Sequence, residues 1–325
     1  MECVVRVLLC AALTLAAAAL PSSQSLQNGT PAAVAGVFKS AAGLVTLNVT
    51  VQDARSHYVK GLAPADFAVF EDGVKQQVRF FETTAVPVDL IVLIDRSTSM
   101  WDSRAVVRDA ARGLIGMLRD ADRGAVLTFS KKVAVAQPLT HDRAALAAAL
   151  DAGDPSGFTA LYSALYVALR EFGGGPSSEG VVRRPAIAVL SDGEDNASLM
   201  SFEEVIDAAR QAGVTIYTIR LRTPEAAATA AMMGDAEQTS RADYQMRVLA
   251  QETGALSFFT AGAQLRAVYA AIGDEIASQY SIAYEPATPL SSGGFRRVAV
   301  QVVGNPELRA RTRTGYAARV QPRRE

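Results

Sequence analysis

Three oxygen-bearing side chains at alternate positions follow one apolar segment of this 325-residue chain. The apolar run VDLIVLI occupies residues 88–94, and the next stretch, DRSTSM at 95–100, contains Asp95, Ser97 and Ser99. Alternate side chains of an extended segment point in the same direction, so these three oxygens are expected to face a common point. Carboxylate and hydroxyl oxygens are hard ligands, which predicts a site for a hard divalent cation.

Two later segments supply further oxygens where a parallel sheet would bring them to the same edge. Thr159 lies in GFTALYSAL, in the predicted first turn of a helix, and Asp192 lies in LSDGEDN, at the end of the apolar run PAIAVL. Ligands of open parallel sheets bind beyond the carboxyl ends of the strands, where the connecting loops diverge. The sequence therefore predicts one metal site on three loops, with five side chains as ligands: Asp95, Ser97, Ser99, Thr159 and Asp192.

The net charge of these five side chains predicts what else a bound metal ion could bind. Only two of the five side chains are carboxylates, so a divalent ion is about neutralised while hydroxyls and water complete its coordination sphere. A position is then left for a further anionic oxygen, such as a Glu or Asp side chain of a partner protein. Mg²⁺ or Mn²⁺ suits this set, whereas Ca²⁺ is less favoured because it prefers more and bulkier carboxylates.

The elements that would position these residues alternate along the chain between residues 87 and 279. Continuously apolar runs are typical of strands that are covered by helices on both faces, and the segments between them have apolar residues at helical spacing. Strands are predicted at 88–94, 125–130, 133–137, 185–190, 214–221 and 255–260, and helices at 103–120, 144–152, 159–172, 201–213, 246–254 and 265–279. This alternation indicates an α/β fold with a doubly wound, mostly parallel sheet flanked by helices.

The segments on either side of this region favour antiparallel strands instead. Apolar and polar residues alternate at 44–53, and again at 65–82 around the turn Glu71-Asp72-Gly73, which predicts an N-terminal β module. The same alternation returns near the end of the chain, at 280–286, 295–304 and 308–317. Because these tail strands need sheet partners, we expect both ends of the chain to build one small β-sandwich beside the α/β domain.

The first residues are typical of a secretory signal peptide. Arg6 precedes an apolar stretch from Val7 to Leu20, which is followed by Pro21 and small polar residues. The stretch is shorter than the roughly twenty residues of a spanning helix, which favours cleavage near residues 19–25 and an exported chain without a spanning segment; a retained anchor is the alternative. The predicted organisation is a signal peptide (1–25), a linker (26–42), the β module (43–86), the α/β domain (87–279, with an insertion or loop at 222–243) and the C-terminal strands (280–320).

Composition argues against several other classes of function. Lys and Arg together number 32 and Asp and Glu 33, and the basic residues are scattered, so nucleic acid is not an expected partner. The only cysteines, Cys3 and Cys10, lie in the predicted signal peptide, which leaves the mature chain without disulfides or thiolate zinc sites. The only histidines, His57 and His141, lie in separate polar segments, so histidine-based zinc or serine chemistry lacks its usual base.

The order of these motifs resembles a known family. D-x-S-x-S, then the threonine loop, then the L-S-D-G loop are similar to the metal-ion-dependent adhesion site (MIDAS) of von Willebrand factor type A domains, over roughly residues 86–280. The flanks LVTLNVTVQD, GLAPADFAVFEDGVKQQVRFF and SQYSIAYEP also resemble exported bacterial proteins with a related domain. The resemblance implies non-enzymatic, metal-dependent protein binding. It also implies direct or near-direct metal ligation by some residues (Ser97, Ser99, Thr159) and ligation often through water by others (Asp95, Asp192).

Other interpretations use the same residues. A magnesium-dependent phosphotransferase of the haloacid dehalogenase type would use Asp95 as nucleophile, but Ser97 occupies the position of its general acid, and no lysine lies in the loops of Thr159 and Asp192. A structural scaffold with a vestigial metal site is a third function. Taken without the other two loops, Asp95, Ser97 and Ser99 are also residue types that commonly cap a strand-to-helix turn.

Overall fold

A computed structural model describes residues 43–83, 86–153, 156–172, 182–192, 194–222 and 240–318. The strands of these residues are β1 (Val45–Gln52), β2 (Phe67–Glu71), β3 (Val74–Gln76), β4 (Val78–Glu82), β5 (Val88–Asp95), β6 (Arg123–Phe129), β7 (Val133–Thr140), β8 (Arg184–Ser191), β9 (Thr215–Leu221), β10 (Ser257–Thr260), β11 (Tyr280–Tyr284), β12 (Phe295–Val302), β13 (Arg309–Arg311) and β14 (Gly315–Ala317). The helices are α1 (Arg104–Gly116), α2 (Arg143–Ala149), α3 (Leu161–Glu171), α4 (Phe202–Ala212), α5 (Arg241–Glu252) and α6 (Leu265–Ser278).

A six-stranded sheet in the order β10-β9-β8-β5-β6-β7 forms the α/β domain. Its neighbouring strands are parallel except β6 and β7, which are antiparallel. Every residue of β5 is buried because helices cover both faces of the sheet. Its alternate side chains enter two apolar clusters: Leu90 joins the cluster that includes α1 and α6, and Ile91 the cluster that includes α3 and α4.

Two antiparallel sheets form the second part of the fold, with the strand orders β13-β1-β11-β4 and β14-β12-β2-β3. Each combines strands from both ends of the chain: β1 pairs with β11, and β2 pairs with β12. Their inward side chains share one apolar cluster, which includes Leu47, Phe67 and Ile282. The mostly parallel sheet between helices, together with these antiparallel sheets, confirms the predicted fold class.

A capping box fixes the start of α4, the helix that follows the loop of Asp192. The Ser201 hydroxyl accepts a hydrogen bond from the backbone N–H of Glu204 at 3.2 Å, and the Glu204 carboxylate accepts one from the backbone N–H of Ser201 at 2.8 Å. This arrangement satisfies two backbone donors that the first turn of a helix leaves unpaired. The helix predicted at 201–213 is thus present, with its start fixed by Ser201 and Glu204.

A buried carboxylate links the two antiparallel sheets. Glu71 on β2 is 4% exposed and accepts hydrogen bonds from the Tyr284 hydroxyl at 2.7 Å and the Tyr316 hydroxyl at 2.8 Å. Arg296 pairs with Glu71 at 3.0 Å and also donates to the carbonyl oxygen of Thr288 at 2.7 Å. Its two oxygens are hydrogen-bonded and its charge is paired with Arg296, so the burial of this carboxylate is compensated inside the sandwich.

A second buried carboxylate joins the sandwich to the α/β domain. Glu275 on α6 is 0% exposed and accepts hydrogen bonds from the Tyr217 hydroxyl on β9 at 3.0 Å and the Tyr58 hydroxyl at 3.2 Å. Arg311 on β13 forms an ion pair with it at 2.7 Å. One side chain therefore contacts the central sheet, the segment after β1 and a C-terminal strand.

The helix after the first predicted ligands is shorter than the sequence indicated. Thr98–Ser103 forms a 3₁₀ helix, and α1 extends only from Arg104 to Gly116, whereas one helix was predicted over 103–120. The chain turns after α1 because the Asp122 carboxylate accepts a hydrogen bond from the backbone N–H of Arg119 at 2.8 Å.

Two further boundaries differ from the prediction. Ser240 caps α5 by accepting from the backbone N–H of Asp243 at 3.1 Å, so 240–243 belongs to this helix and not to the predicted insertion. The segment 308–317 forms two strands because the chain passes from one antiparallel sheet to the other.

The predicted signal peptide and linker, residues 223–239 of the insertion and residues 319–320 lie outside the described residues. Within the described ranges, every helix is too short or too polar to cross a membrane.

Replacement of Arg296 by alanine is expected to destabilise the protein by about 3–5 kcal/mol, because Glu71 would keep a buried charge without its cation. Urea unfolding followed by circular dichroism measures the change. Arg297→Ala removes the same kind of side chain from an exposed neighbouring position and is expected to cost less than about 0.5 kcal/mol. Equal losses of stability in the two variants would contradict the role of the Glu71–Arg296 pair.

Candidate metal site at the carboxyl edge of the central sheet

Asp95 is the last residue of β5 and points into the protein at the edge where the loops diverge. Its side chain is buried, with the residue 2% exposed. One carboxylate oxygen accepts a hydrogen bond from the backbone N–H of Ser97 at 2.7 Å, and the other accepts from the Ser191 hydroxyl at 2.6 Å. The first of these bonds is the local turn that the capping interpretation anticipates; the second comes from the neighbouring strand β8.

The charge of Asp95 is poorly compensated. Burial raises the pKa of its carboxyl to about 6, although the hydrogen bonds from Ser191 and Ser97 act in the opposite direction. The negative charge of Asp192 raises this pKa further. No lysine or arginine of the described residues forms an ion pair with Asp95. This environment disfavours a bare carboxylate and favours one that is neutralised by a proton or by a cation.

The two serines after Asp95 bring their hydroxyl groups together. The side-chain oxygens of Ser97 and Ser99 lie 3.0 Å apart; Ser97 is 3% exposed, whereas Ser99 is exposed. Ser97 is the N-cap residue of the 3₁₀ helix, yet its side chain makes no capping hydrogen bond. Its hydroxyl is therefore directed to Ser99 and not to the helix backbone, which argues against capping as the reason for a serine here.

Three loops carry the predicted ligands, and we call them the first loop (95–103), the second loop (156–160) and the third loop (Asp192 and 194–200). The first and second loops are joined by the backbone of Ser156, which accepts from Thr98 N–H at 2.9 Å and donates to the carbonyl oxygen of Arg96 at 3.3 Å. The second and third loops are joined at Thr159. These backbone hydrogen bonds hold the loops next to one another and satisfy backbone groups that would otherwise lack partners.

Thr159 lies two residues before α3 and not in its first turn, as was predicted. Its backbone N–H donates to the Asn196 side-chain oxygen at 2.8 Å, and its carbonyl oxygen accepts from Asn196 N–H at 3.0 Å. These bonds hold Thr159 against the third loop and outside the helix. The residue is 4% exposed, so its hydroxyl is inside the junction of the loops and not in bulk solvent.

Asp192 follows Ser191 at the end of β8, the strand that pairs with β5. It is half-buried, and its carbonyl oxygen accepts a hydrogen bond from Arg220 at 2.8 Å. Its effect on the pKa of Asp95 means that the two carboxylates are close enough to interact. Side-chain contacts thus join Asp95, Ser97 and Ser99. Asp192 acts on Asp95 through its charge, and Thr159 is tied to the third loop by its backbone.

Two polar residues of the site were missed by the sequence interpretation. Ser191 donates to Asp95, and Asn196 holds Thr159. Asp195 accepts a hydrogen bond from Tyr162 N–H at 3.2 Å and so caps α3 from the third loop. The only signal for Ser191 and Asn196 was their position beside Asp192 in LSDGEDN, because their partners lie far away in the sequence.

Each of the three loops also exposes one large apolar side chain. Trp101 on the first loop is 47% exposed, Phe158 on the second loop is 50% exposed, and Leu199 on the third loop is 99% exposed. The ammonium group of Lys131, from the β6–β7 turn, lies 5.4 Å from the centre of the Phe158 ring. Solvent-exposed apolar side chains near a polar site are typical of surfaces that bind another protein.

The donor set fits a hard divalent cation better than a softer one. The described residues contain no cluster of three or more His, Cys, Asp and Glu side chains, so a metal bound here would depend on hydroxyl oxygens as well as the carboxylates. The uncompensated buried carboxylate of Asp95 and the paired hydroxyls of Ser97 and Ser99 are the features that such an ion would complement.

Comparisons with known proteins give one family match. A family model described as von Willebrand factor type A domain matches residues 89–263, which are 175 of the 325 residues. No curated protein matches the chain.

Several solved structures are similar to the chain. A von Willebrand factor type A protein from Catenulispora acidiphila is 14% identical, covers 86% of this chain and 74% of its own, and has a TM-score of 0.49. The conserved hypothetical protein BatB from Bacteroides thetaiotaomicron is 18% identical over 58% of this chain and 97% of its own, with a TM-score of 0.44. Proximal thread matrix protein 1 from the mussel byssus is 18% identical over 60% of this chain, with a TM-score of 0.47; the match spans 50% of the mussel chain. The mussel protein is also known with a zinc-occupied MIDAS motif.

Asp95→Asn is expected to stabilise the metal-free protein near neutral pH. Because the folded-state pKa of about 6 exceeds the ordinary value of 3.8, the native state binds the proton more tightly, so stability falls as pH rises from about 4 to about 6 and remains lower above that range. Asparagine lacks this charge, so the variant should gain roughly 2–3 kcal/mol over the parent at about pH 7.5 and little at about pH 4.

Urea unfolding in the presence of a chelator measures this difference. Asp102→Asn, an exposed acid in the first loop, serves as the control and should change stability little at either pH. A gain for Asp95→Asn that is no larger at neutral pH than at acid pH would contradict the assignment of a destabilising buried charge to Asp95.

Proposed function

Because the chain belongs to the von Willebrand factor type A domain family, we propose that it is an exported protein-binding module of the metal-dependent kind. In this proposal a divalent cation bridges the chain to an acidic side chain of a partner protein. The family consists of protein-interaction modules that are often metal-dependent, which supports metal-dependent binding of a protein by this chain. The cation would be held by oxygens of the three loops: Asp95, Ser97, Ser99, Thr159 and Asp192.

The observation that carries the proposal is the uncompensated buried charge of Asp95. Two hydrogen bonds stabilise this carboxylate, but they do not overcome the cost of burial, since its pKa remains raised to about 6. A cation beside it would favour the ionised form and remove this cost. The site would therefore bind metal more weakly as the pH falls through about 6, because a proton competes for the same carboxylate.

The remaining ligands would come from groups that already lie near this carboxylate. The hydroxyls of Ser97 and Ser99 are 3.0 Å apart and can turn their lone pairs toward an ion. Two carboxylates, Asp95 and Asp192, about balance a divalent charge, so the bound ion would retain affinity for one more anionic oxygen. Mg²⁺ or Mn²⁺ fits this set, with Ca²⁺ less favoured because it prefers a larger number of carboxylates.

The exposed apolar residues of the loops support a protein as the partner. Trp101, Phe158 and Leu199 give each loop an apolar contact group next to the polar centre. An acidic residue of the partner would fix the orientation of binding by ligating the cation. Apolar residues beside it would bury surface against these three side chains. Trp101 is the best anchor of the three because tryptophan is enriched among residues that dominate binding energy.

Export is proposed from the sequence of residues 1–25. The basic residue, the short apolar stretch and the small residues after it have the order of a signal peptide. A partner that is itself exported or displayed outside the cell would then be the natural ligand.

The phosphotransferase alternative is less well supported. Its general acid would have to stand at position 97, where Ser97 instead pairs its hydroxyl with Ser99. Lys131 does lie next to Phe158 in the second loop, so a lysine approaches from the β6–β7 turn although none lies in the loops. Turnover of simple phosphate esters that Asp95→Asn abolishes would favour this enzyme over a binding module.

Asp95→Ala is expected to weaken binding of Mg²⁺ and Mn²⁺ by at least about 100-fold, because it removes the buried carboxylate that the cation would compensate. Isothermal titration calorimetry of the metal-free full chain measures the affinity. Asp102→Ala removes an exposed acid from the same loop and should leave the affinity unchanged. If the Asp95→Ala protein binds the metals as tightly as the parent, the ion is not held at this edge.

The parent protein, when immobilised, is expected to capture a partner from the exported proteins of its source in Mg²⁺ but not in a chelator. Asp95→Ala should fail to capture it under both conditions, and Asp102→Ala should behave as the parent. Capture that is indifferent to the chelator and to Asp95→Ala would favour a scaffold with a vestigial site. Mass spectrometry of the eluted proteins identifies the partner.

A further inference from the structure

A pocket of about 350 Å³ opens beside the candidate metal site. Its lining includes Asp95 and Ser97, two of the proposed ligands, and we call that part of the pocket the metal end. Its apolar wall is formed by Ile94, Met100 and Val107, each at most 3% exposed. A group that enters from the metal end would therefore meet a preformed, partly apolar cavity, and its volume suits a side chain or a small segment.

The charged lining of this pocket is mainly basic. Arg96, Arg104 and Arg108 contribute to it, whereas Asp95 and Asp151 are the carboxylates that the described residues place in its lining. Arg108 forms an ion pair with Asp151 at 3.4 Å. Arg96 and Arg104 form no ion pair with any carboxylate in the part of the chain that the structure describes. Two guanidinium groups therefore line the pocket without an anionic partner from these residues.

Arg104 is positioned by an aromatic ring. Its guanidinium carbon lies 3.8 Å from the centre of the Trp101 ring, and both residues are exposed. Stacking of this kind limits the rotamers of a long side chain and leaves its donor fork available. Trp101 thus lines the pocket both as an apolar surface and as a support for a cation.

Arg96 is less well satisfied. Its terminal nitrogen donates to the carbonyl oxygen of Leu150, but its Nε is buried and has no acceptor among the described residues. Arg104 and Arg108 line the same pocket, so three guanidinium groups of like charge lie near one another there. An anion in the pocket would relieve the repulsion and give the unpaired donor an acceptor.

We propose that this pocket, which we call the arginine pocket, receives a second acidic side chain of the same partner protein. The recognised segment would then carry one carboxylate on the cation and a second one between Arg96 and Arg104. This inference rests on the proposed metal-bridged binding and adds the partner's sequence requirement to it. A glutamate suits the second position because its methylene groups can contact Met100 while its carboxylate meets the donor fork of Arg104.

The size of the arginine pocket limits the spacing of the two acids. A compact volume of about 350 Å³ is roughly 9 Å across, and an extended chain covers this distance in about two to three residues at ~3.4 Å each. The two acidic residues are therefore expected to lie one to three positions apart. A partner segment with one isolated acid would occupy only the metal end.

Trp101 provides a local signal for the test because it is the only tryptophan of the chain. The probes are capped peptides: Gly-Glu-Gly-Glu-Gly, its single-acid counterpart Gly-Glu-Gly-Gln-Gly, and versions with the two glutamates adjacent or three positions apart. Calorimetry and Trp101 fluorescence in saturating Mg²⁺ measure their affinities for the full chain. At the best spacing, the double-acid peptide is expected to bind about tenfold more tightly than the single-acid peptide.

Arg104→Gln is expected to remove this advantage and to leave the Mg²⁺ affinity unchanged. Arg112→Gln, an exposed arginine on the same helix that does not line the pocket, should retain the advantage. If single-acid and double-acid peptides bind the parent equally at every spacing, the arginine pocket is not a second acidic subsite, even when metal-dependent binding persists. If the double-acid peptide keeps its full advantage in affinity over the single-acid peptide in the Arg104→Gln protein, the inference is also overturned.

Two further measurements distinguish failure of this inference from failure of the proposed function, and a carboxylate of the partner from a free anion. Failure of Mg²⁺ to bind the parent would remove the proposed function. In that case, a double-acid advantage that persists in chelator and depends on Arg104 would still support the pocket, and its absence would overturn it. Inorganic phosphate that binds as tightly as the double-acid peptide, with the same dependence on Arg104, would assign the pocket to a free anion instead.

Discussion

A carboxylate that is buried without a counter-charge is the constraint on which the functional edge of this fold depends. Strand β5 is covered on both faces, so its last residue, Asp95, enters a region from which water is largely excluded. Ser191 and the backbone of Ser97 each donate one hydrogen bond, but the pKa of the carboxyl remains raised. The helices that bury this strand therefore also leave a carboxylate that a positive charge would stabilise, which is the physical basis of the cation site that we propose at this edge.

Much of the fold could be predicted because its signals are local. A strand that is buried on both faces must be continuously apolar, as at 88–94, and a helix start can be encoded in two nearby residues, as with Ser201 and Glu204. The end of α1 was predicted incorrectly because it depends on a side chain beyond the helix, Asp122. Thr159 was assigned to the helix because nothing local reveals its bonds to Asn196, 37 residues away.

Some features of the candidate site can likewise be predicted from nearby residues, whereas others depend on residues that are far apart in the sequence. The five predicted ligands could be selected by residue type, alternation and the ends of apolar runs, although that selection remains a prediction. The contact of Ser191 with Asp95 requires knowledge that β8 is the neighbour of β5, since 96 residues separate the two side chains. The arginine pocket was also out of reach, because it brings together a strand end, α1 and the segment after α2. Two subsites that each take a carboxylate, the cation and the arginine pocket, would let the surface reject partners that offer only one acidic side chain.

The pairing of β1 with β11 determines when this protein can finish folding. Val45 lies opposite Tyr284, so the partner of β1 is synthesised only after the whole α/β domain that separates the two strands. Contacts this distant in sequence form slowly, and an unpaired strand edge is prone to associate with other chains in the meantime. The α/β domain, whose neighbouring strands are closer in sequence, is free to fold first and to hold the two ends near each other. The sandwich would then close last, and the edge of β1 would stay unpaired until β11 has been synthesised.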